Sequence, residues 1–224
     1  MDFLTKSIFH LEKAKVIIVS GKERGRTSDM IWQVLSTSFI VKKFVNKIPN
    51  LFDVASNEVF IIETDFKNEV LSKSLVDLAK SSELAILIAT NTGEMIADAD
   101  QIVGNKEDAT KINNFIPTMP SNSYLILNFD DPEVKKAGDG NNIKTITFGF
   151  QEGADLKASD VHTNTGTNYK INYKGNTIPI WQEKLFGKEY IYGGLAVGCV
   201  GIALGLNFVE ISAKLKGCEP YSGG

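Results

Sequence analysis

Four apolar runs, at residues 16–19, 59–62, 84–89 and 124–127, are separated by helix-compatible stretches at 29–35, 68–80 and 106–115. The runs are continuous rather than alternating, which is what a strand needs when both of its faces are buried. Strands of this kind alternating with helices predict a parallel sheet covered by helices. A further strand is expected at 143–148, after a Gly-Asp-Gly-Asn-Asn turn. The texture then changes. Residues 169–173 and 177–181 flank Lys174-Gly175-Asn176 and predict an antiparallel hairpin, and two helices follow at about 188–206 and 209–215. The expected class is α/β: a mostly parallel sheet flanked by helices, with a small antiparallel hairpin element.

A chain of 224 residues, 43% hydrophobic and 23% charged, can bury a full core and fits one main domain. The formal charge of −3, with Lys and Arg scattered, gives no general attraction to nucleic acid or anionic lipid. Cys199 and Cys218 have no metal-ligand spacing, and His10 and His162 are the only histidines, so a zinc site is not expected and a reducing cytoplasm is the simplest compartment. The first fifteen residues mix Phe3, Leu4, Ile8, Phe9 and Leu11 with charges and lack the apolar core of a signal peptide. Residues 1–14 read as a short helical lead-in.

One segment challenges a soluble reading. Residues 190–209 carry no charge and are long enough to cross a bilayer, with Gly194, Gly198, Gly201 and Gly205 forming two Gly-x-x-x-Gly pairs. Five glycines, Asn207, the lack of a basic flank beyond Lys188 and the surrounding α/β pattern favour a buried core helix instead.

The stretch 15–28 joins an apolar strand to a helix start through a glycine-bracketed loop. A phosphate-binding loop needs glycines that let backbone N–H groups turn inward, a lysine for the terminal phosphates and a Ser or Thr hydroxyl for Mg²⁺. Gly21, Lys22, Gly25, Arg26, Thr27 and Ser28 approximate that arrangement, with Arg26 at the lysine position and one residue fewer between the glycines than in the Gly-x4-Gly-Lys form. An ordinary strand-to-helix turn with a basic tip is the competing reading. In an open parallel sheet the ligand crevice lies beyond the carboxyl ends of the strands. Glu63-Thr64-Asp65, Thr90-Asn91-Thr92-Gly93-Glu94 and Asn128-Phe129-Asp130-Asp131 fall there. Carboxylates at these ends suit a Mg²⁺-nucleotide site. Asp131 followed by Pro132 serves equally well as a helix cap and first helical position.

The run Leu125-Ile126-Leu127-Asn128-Phe129-Asp130-Asp131-Pro132-Glu133-Val134 carries a more specific signal. With Thr147-Phe148-Gly149, Gly153-Ala154-Asp155, Ala158-Ser159-Asp160-Val161 and the segment from Gly187 to Ala196, it resembles the central domain of the Mur ligases, nearest the branch that adds D-alanyl-D-alanine to the muramoyl tripeptide. The likeness spans 15–224. It implies ATP-dependent amide formation, in which a substrate carboxylate attacks the γ-phosphate and an amine opens the resulting acyl phosphate. It also implies ATP and Mg²⁺ as cofactors, with Gly21, Lys22, Gly25, Arg26, Thr27, Ser28, Asn91 and Asp131 toward the nucleotide and Thr27 and Glu63 toward the metal. No catalytic residue is assigned.

This sequence departs from the family at working positions. Arg26 replaces the phosphate-loop lysine, whose narrow slot does not suit a planar guanidinium, and the loop holds an additional residue among Lys22, Glu23 and Arg24. The family's histidine falls at about Ile96, its carbamylated lysine near Ala109, and its His and two Asn on the nucleotide-side helix become Glu189, Tyr190 and Gly193; the arginine at the domain's end is Gly224. Glu94 is a candidate replacement acid. The family's UDP-sugar domain and C-terminal ligase domain are not expected within this stretch. Two readings remain: a nucleotide-binding ligase domain, whose partners are a nucleotide and a muramoyl-peptide precursor, or a non-catalytic scaffold that pairs with a full-length ligase. No membrane span is expected in either.

Overall fold

The structure, a computed structural model, describes residues 13–54, 58–96 and 101–223. The expected helical lead-in before residue 13 and Gly224 lie outside them. The strands are β1 (Lys15–Ser20), β2 (Val41–Val45), β3 (Val59–Glu63), β4 (Leu84–Ala89), β5 (Glu94–Met95), β6 (Ile102–Val103), β7 (Tyr124–Asn128), β8 (Lys144–Gly149), β9 (Leu156–Thr163), β10 (Thr167–Tyr173) and β11 (Asn176–Gln182). Nine of them form one sheet in the order β11-β10-β9-β8-β7-β4-β1-β3-β2, while β5 and β6 make a separate antiparallel pair. From β2 across to β9 every pairing is parallel, and β10 and β11 add an antiparallel edge. The hairpin read from the sequence is thus present as an extension of the main sheet. Its turn places both Lys174 (φ 47°) and Gly175 (φ 78°) at positive φ, the twist that two-residue hairpin turns need.

The helices are α1 (Arg24–Leu35), α2 (Leu51–Val54), α3 (Glu69–Ser81), α4 (Lys106–Phe115), α5 (Pro132–Lys136), α6 (Lys188–Leu204) and α7 (Phe208–Lys216). They cover both faces of the central strands. Along β1, Ile17 and Val19 enter one core with Met30, Ile31 and Val34 of α1 and Leu195 and Cys199 of α6. Val16 and Ile18 enter the other, with Leu71, Leu75 and Leu78 of α3 and Ile112 and Phe115 of α4. Two cores explain why these strands read as unbroken apolar runs.

Most of the charge-free segment 190–209 lies in helix α6, and its end begins α7. Helix α6 is buried from Tyr190 to Gly201, and its glycines are close-approach positions. A Cβ on Gly194 would lie 2.0 Å from Tyr169 Oη, and one on Gly201 would lie 2.1 Å from Ile211 Cδ1. The helix ends at Gly205, and Asn207 starts α7 by accepting the Val209 N–H at 2.8 Å. Among the described residues no helix is long and apolar enough to cross a membrane.

Candidate functional site

Helix α1 begins at Arg24, five residues before the expected 29, so the loop after β1 shrinks to Gly21-Lys22-Glu23. Gly25 and Arg26 therefore sit in the first helical turn, and Thr27 N–H donates to Glu23 C=O at 2.9 Å. A helix needs no periodic apolar stripe in its first turn, which is why the periodicity beginning near Asp29 missed it. The close fit at the start of the loop is steric. Gly21 has φ 109°, and a Cβ there would lie 2.2 Å from Thr90 Oγ1 and 2.8 Å from Asn91 O. Lys22 N–H donates to Asn91 O at 2.7 Å, and the Asn91 side-chain amide donates to Gly93 O at 2.8 Å.

The first turn of α1 is unusual electrostatically. Glu23 at the N-cap makes no side-chain cap, and the turn holds Arg24 and Arg26 with no acid. Cations at a helix N-terminus face the positive end of its dipole, so an anion there is favoured on two counts. Arg24 donates to Gly21 O at 2.9 Å. Arg26 forms an ion pair with Glu23 and lies 5.0 Å from the Tyr190 ring centroid. Burial works to lower the Arg26 pKa, but Glu23, then Tyr190 and Glu189, outweigh it and hold the guanidinium above its ordinary value. Its Nε is buried with no hydrogen-bond partner among the described residues. Lys22 pairs with Glu94, so the candidate replacement acid neutralises a loop lysine.

Ser28 and Glu63 meet beneath the loop. Both are buried; Ser28 Oγ lies 2.5 Å from Glu63 Oε1, to which it donates, and 2.9 Å from Gly25 O. Lys43 Nζ, on β2, approaches the same carboxylate at 3.5 Å and Asp29 at 3.3 Å. Thr27, the expected metal-side hydroxyl, is buried in the adjacent position. The hydroxyl that bonds Glu63 is Ser28.

Asp131 is committed elsewhere. Its Oδ1 caps α5 by accepting from Glu133 N–H at 2.9 Å and Val134 N–H at 3.3 Å. Its Oδ2 accepts from the backbone N–H and hydroxyl of Thr92 at 2.7 and 2.8 Å. The neighbouring Asp130 accepts from Phe150 N–H at 2.6 Å, Gln151 N–H at 3.1 Å and Tyr192 Oη at 2.7 Å. Both acids tie loops together. Of the other departures, Glu189 and Tyr190 act on Arg26, whereas Ala109 is buried in α4, Ile96 is exposed, and Gly193 rests against Met30, whose Sδ a Cβ would meet at 2.5 Å.

A cleft of about 300 Å³ opens over the start of α1, lined by Lys22, Glu23, Arg24, Gly25, Arg26, Glu63 and Tyr221. On the loop's other side a smaller cavity of about 90 Å³ includes Arg24, Asp65, Lys67, Thr92 and Asp108. The structure therefore gathers Lys22, Gly25, Arg26 and Glu63 around the larger cleft, with Ser28 buried against Glu63, Gly21 lining the smaller cavity beside Asn91, and Asp131 bonded to Thr92. Tyr221 is the residue that sequence reasoning missed. The segment after α7 is strapped to α1 by a two-way pairing, Glu219 N–H to Gln33 Oε1 at 2.7 Å and Gln33 Nε2 to Glu219 O at 3.1 Å. Tyr221 N–H then donates to Tyr190 Oη at 3.2 Å, and a Cβ on Gly25 would lie 2.8 Å from Tyr221 Oη. No local pattern marks such a contact between residues almost two hundred positions apart.

This is an α/β domain whose crevice lies at the carboxyl ends of parallel strands, beside a basic helix start. The fold is that of the Mur ligase central domain. The Mur ligase middle domain family matches residues 109–201. UDP-N-acetylmuramate--L-alanine ligases from Clostridium beijerinckii and Syntrophus aciditrophicus are 23% and 24% identical over 83% and 92% of this chain, which covers 39% and 42% of theirs. The chain thus spans about two fifths of the length of these relatives. Among solved structures, the UDP-N-acetylmuramoylalanyl-D-glutamyl-2,6-diaminopimelate--D-alanyl-D-alanyl ligase from Acinetobacter baumannii superposes with a TM-score of 0.71 at 13% identity, over 97% of this chain and 49% of that one. The MurF ligase from Thermotoga maritima, solved in complex with ADP, gives 0.66 at 16% identity, over 93% of this chain and 50% of that one. The resemblance to the Mur ligase central domain read from the sequence is borne out.

Proposed function

We propose that this domain binds the phosphates of ATP at the start of α1, as the nucleotide-binding part of an ATP-dependent ligation that joins an amine to a muramoyl-peptide carboxylate in peptidoglycan precursor synthesis. The observation that carries this reading is the uncapped N-terminus of a 12-residue helix, with two arginines in its first turn, facing a cleft of about 300 Å³. Free N–H groups, the helix dipole and guanidinium donors all favour a polyphosphate there. The unpartnered Nε of Arg26 is a further donor without an acceptor.

The residues fit a phosphate group well and Mg²⁺ more narrowly. Glu63 supplies one carboxylate and Thr27 or Ser28 a hydroxyl, and among the described residues no group of three His, Cys, Asp or Glu side chains stands together to hold a metal. Mg²⁺ is satisfied by one or two carboxylates when phosphate and water supply the remaining oxygens. Bound there, it would neutralise charge on the transferring phosphoryl group. The chain's own part is to orient and hold: Lys22, Arg24 and Arg26 attract the anion, and Glu63, balanced by Lys43, keeps a carboxylate at the metal side.

A second reading, a non-catalytic module that pairs with a full-length ligase, is favoured by Ala109 and Ile96 at positions where the family resemblance implies a carbamylated lysine and a histidine. Calorimetric titration of ATP with and without Mg²⁺ separates the two. Micromolar, Mg²⁺-dependent binding that Arg26→Ala weakens about tenfold or more is the expected result, since that change removes charge-assisted contacts. No heat with either protein would leave the scaffold.

A further inference from the structure

A carboxylate, Glu23, stands at the N-cap of α1, ahead of the two arginines of its first turn. Asp, Asn, Ser and Thr cap helices because their short side chains reach back to the N–H groups of the first turn. Glu23 does not do this. Its side chain pairs with Arg26 instead, and the backbone donors of the first turn are left uncapped. The pair is only partly exposed, at 26% and 22% of the two side chains, so solvent screens it less than an open surface pair. The loop's other cations are likewise occupied: Lys22 by Glu94 and Arg24 by the Gly21 carbonyl.

We propose that Glu23 is an internal counter-anion that holds a phosphate's place at Arg26, so that a polyphosphate enters the cleft by displacing it. This rests on the reading of the α1 start as the nucleotide-phosphate site. A single carboxylate balances the arginine's charge but leaves its Nε and the helix N–H groups without a side-chain acceptor among the described residues. A phosphate chain, with several oxygens, can take both at once, and each additional negative charge strengthens its claim on Arg26 against the tethered competitor. The device therefore sets specificity. It selects polyphosphates over monophosphates, because a monophosphate, with fewer charges and oxygens, gains too little to overcome the loss of the internal pair and the repulsion from Glu23.

The test is calorimetric titration of the full chain with inorganic tripolyphosphate, ATP and inorganic phosphate, for wild type, Glu23→Gln, Glu23→Ala and the double variant Glu23→Gln/Arg26→Ala. Thermal melts establish that each protein is folded. Removing the carboxylate should tighten tripolyphosphate and ATP by about tenfold, the scale of one lost like-charge contact. It should also narrow the preference over monophosphate, and the double variant should lose the gain. If wild type binds and neither Glu23 variant binds more tightly, the counter-anion proposal is overturned while the nucleotide reading stands. If wild type is silent and Glu23→Gln binds, Glu23 blocks the cleft instead of yielding to polyphosphate, and both the displacement proposal and the nucleotide reading fail for the native chain. Silence from every variant overturns both.

Discussion

The half of the molecule from β7 to α6 and the crevice at the β1–α1 junction follow different rules. In the first, packing fixes residues that carry the resemblance, such as Gly149, Asp130 and Asp131, although Glu189, Tyr190 and Gly193 on α6 depart from it. Gly149 has no room for a Cβ, which would lie 2.5 Å from Asp130 Oδ1, and Gly194 has none against Tyr169. Asp130 and Asp131 are hydrogen-bonded to two loops, at Thr92 and at Phe150-Gln151, and to helices α5 and α6. In the second, a strand-to-helix turn is present but its side chains differ from those the resemblance implies: Arg26 stands at the lysine position, an additional residue falls among Lys22, Glu23 and Arg24, and Tyr221 lies over Gly25. Close packing punishes each change by itself. A binding crevice open to solvent tolerates exchange as long as its charges remain balanced.

That contrast is broken most directly by stability. Gly194→Val would drive a branched side chain into the fully buried hydroxyl of Tyr169, and overpacking of this kind costs about 3 kcal/mol. For a domain of this size the melting temperature should fall by roughly 6–12 °C. Arg26→Ala, by contrast, should move it by less than about 2 °C, as for changes away from a core. Scanning calorimetry on both proteins decides the point. Equal melts would mean that the crevice is as tightly constrained as the helix.

Asp131→Ala gives the next largest effect. It removes the α5 cap and both bonds to Thr92, so a loss of about 2 kcal/mol in urea unfolding is expected. ATP affinity should change far less than stability. A variant that folds like wild type but loses nucleotide would move Asp131 from the scaffold to the binding site.

The same division governs what the sequence discloses. Strands β1, β3, β4 and β7 are legible because burial on two faces forces an unbroken apolar run. Strand β2, Val-Lys-Lys-Phe-Val, is not, since it lies at the sheet's edge with only Phe44 buried, and the edge lysines that guard against further pairing disguise it. Strand β9 is hidden for a related reason: from Asp160 onward its residues are exposed. At the site, Gly21, Arg26 and Glu63 can be found by position along the strands, because topology puts them at one end of the sheet. Ser28 taking the bond to Glu63, and Tyr221 entering from the far end of the chain, depend on helix phase and long-range docking that no local spacing encodes.

The smallest predicted effect concerns the strap that carries Tyr221, where the packed half meets the crevice. Cys218 lies at its base, and burial, reinforced by the carboxylates of Asp29 and Glu219, pushes the thiol up to about 12. Folding keeps this thiol protonated, so its contribution to stability is full below the ordinary thiol value of about 8.5. That contribution is lost as the pH climbs toward about 12. Thiolate is the reactive form, so native Cys218 should alkylate slowly at pH 8, and Cys199, raised by its own complete burial, more slowly still. Gln33→Ala removes the two-way pairing that holds Glu219. Local opening should then speed Cys218 labelling by roughly threefold, the effect of about 0.6 kcal/mol, without exposing Cys199. Parallel acceleration of both cysteines would mean that the strap opens only when the domain unfolds, and that Tyr221 belongs to the packed half rather than to the crevice.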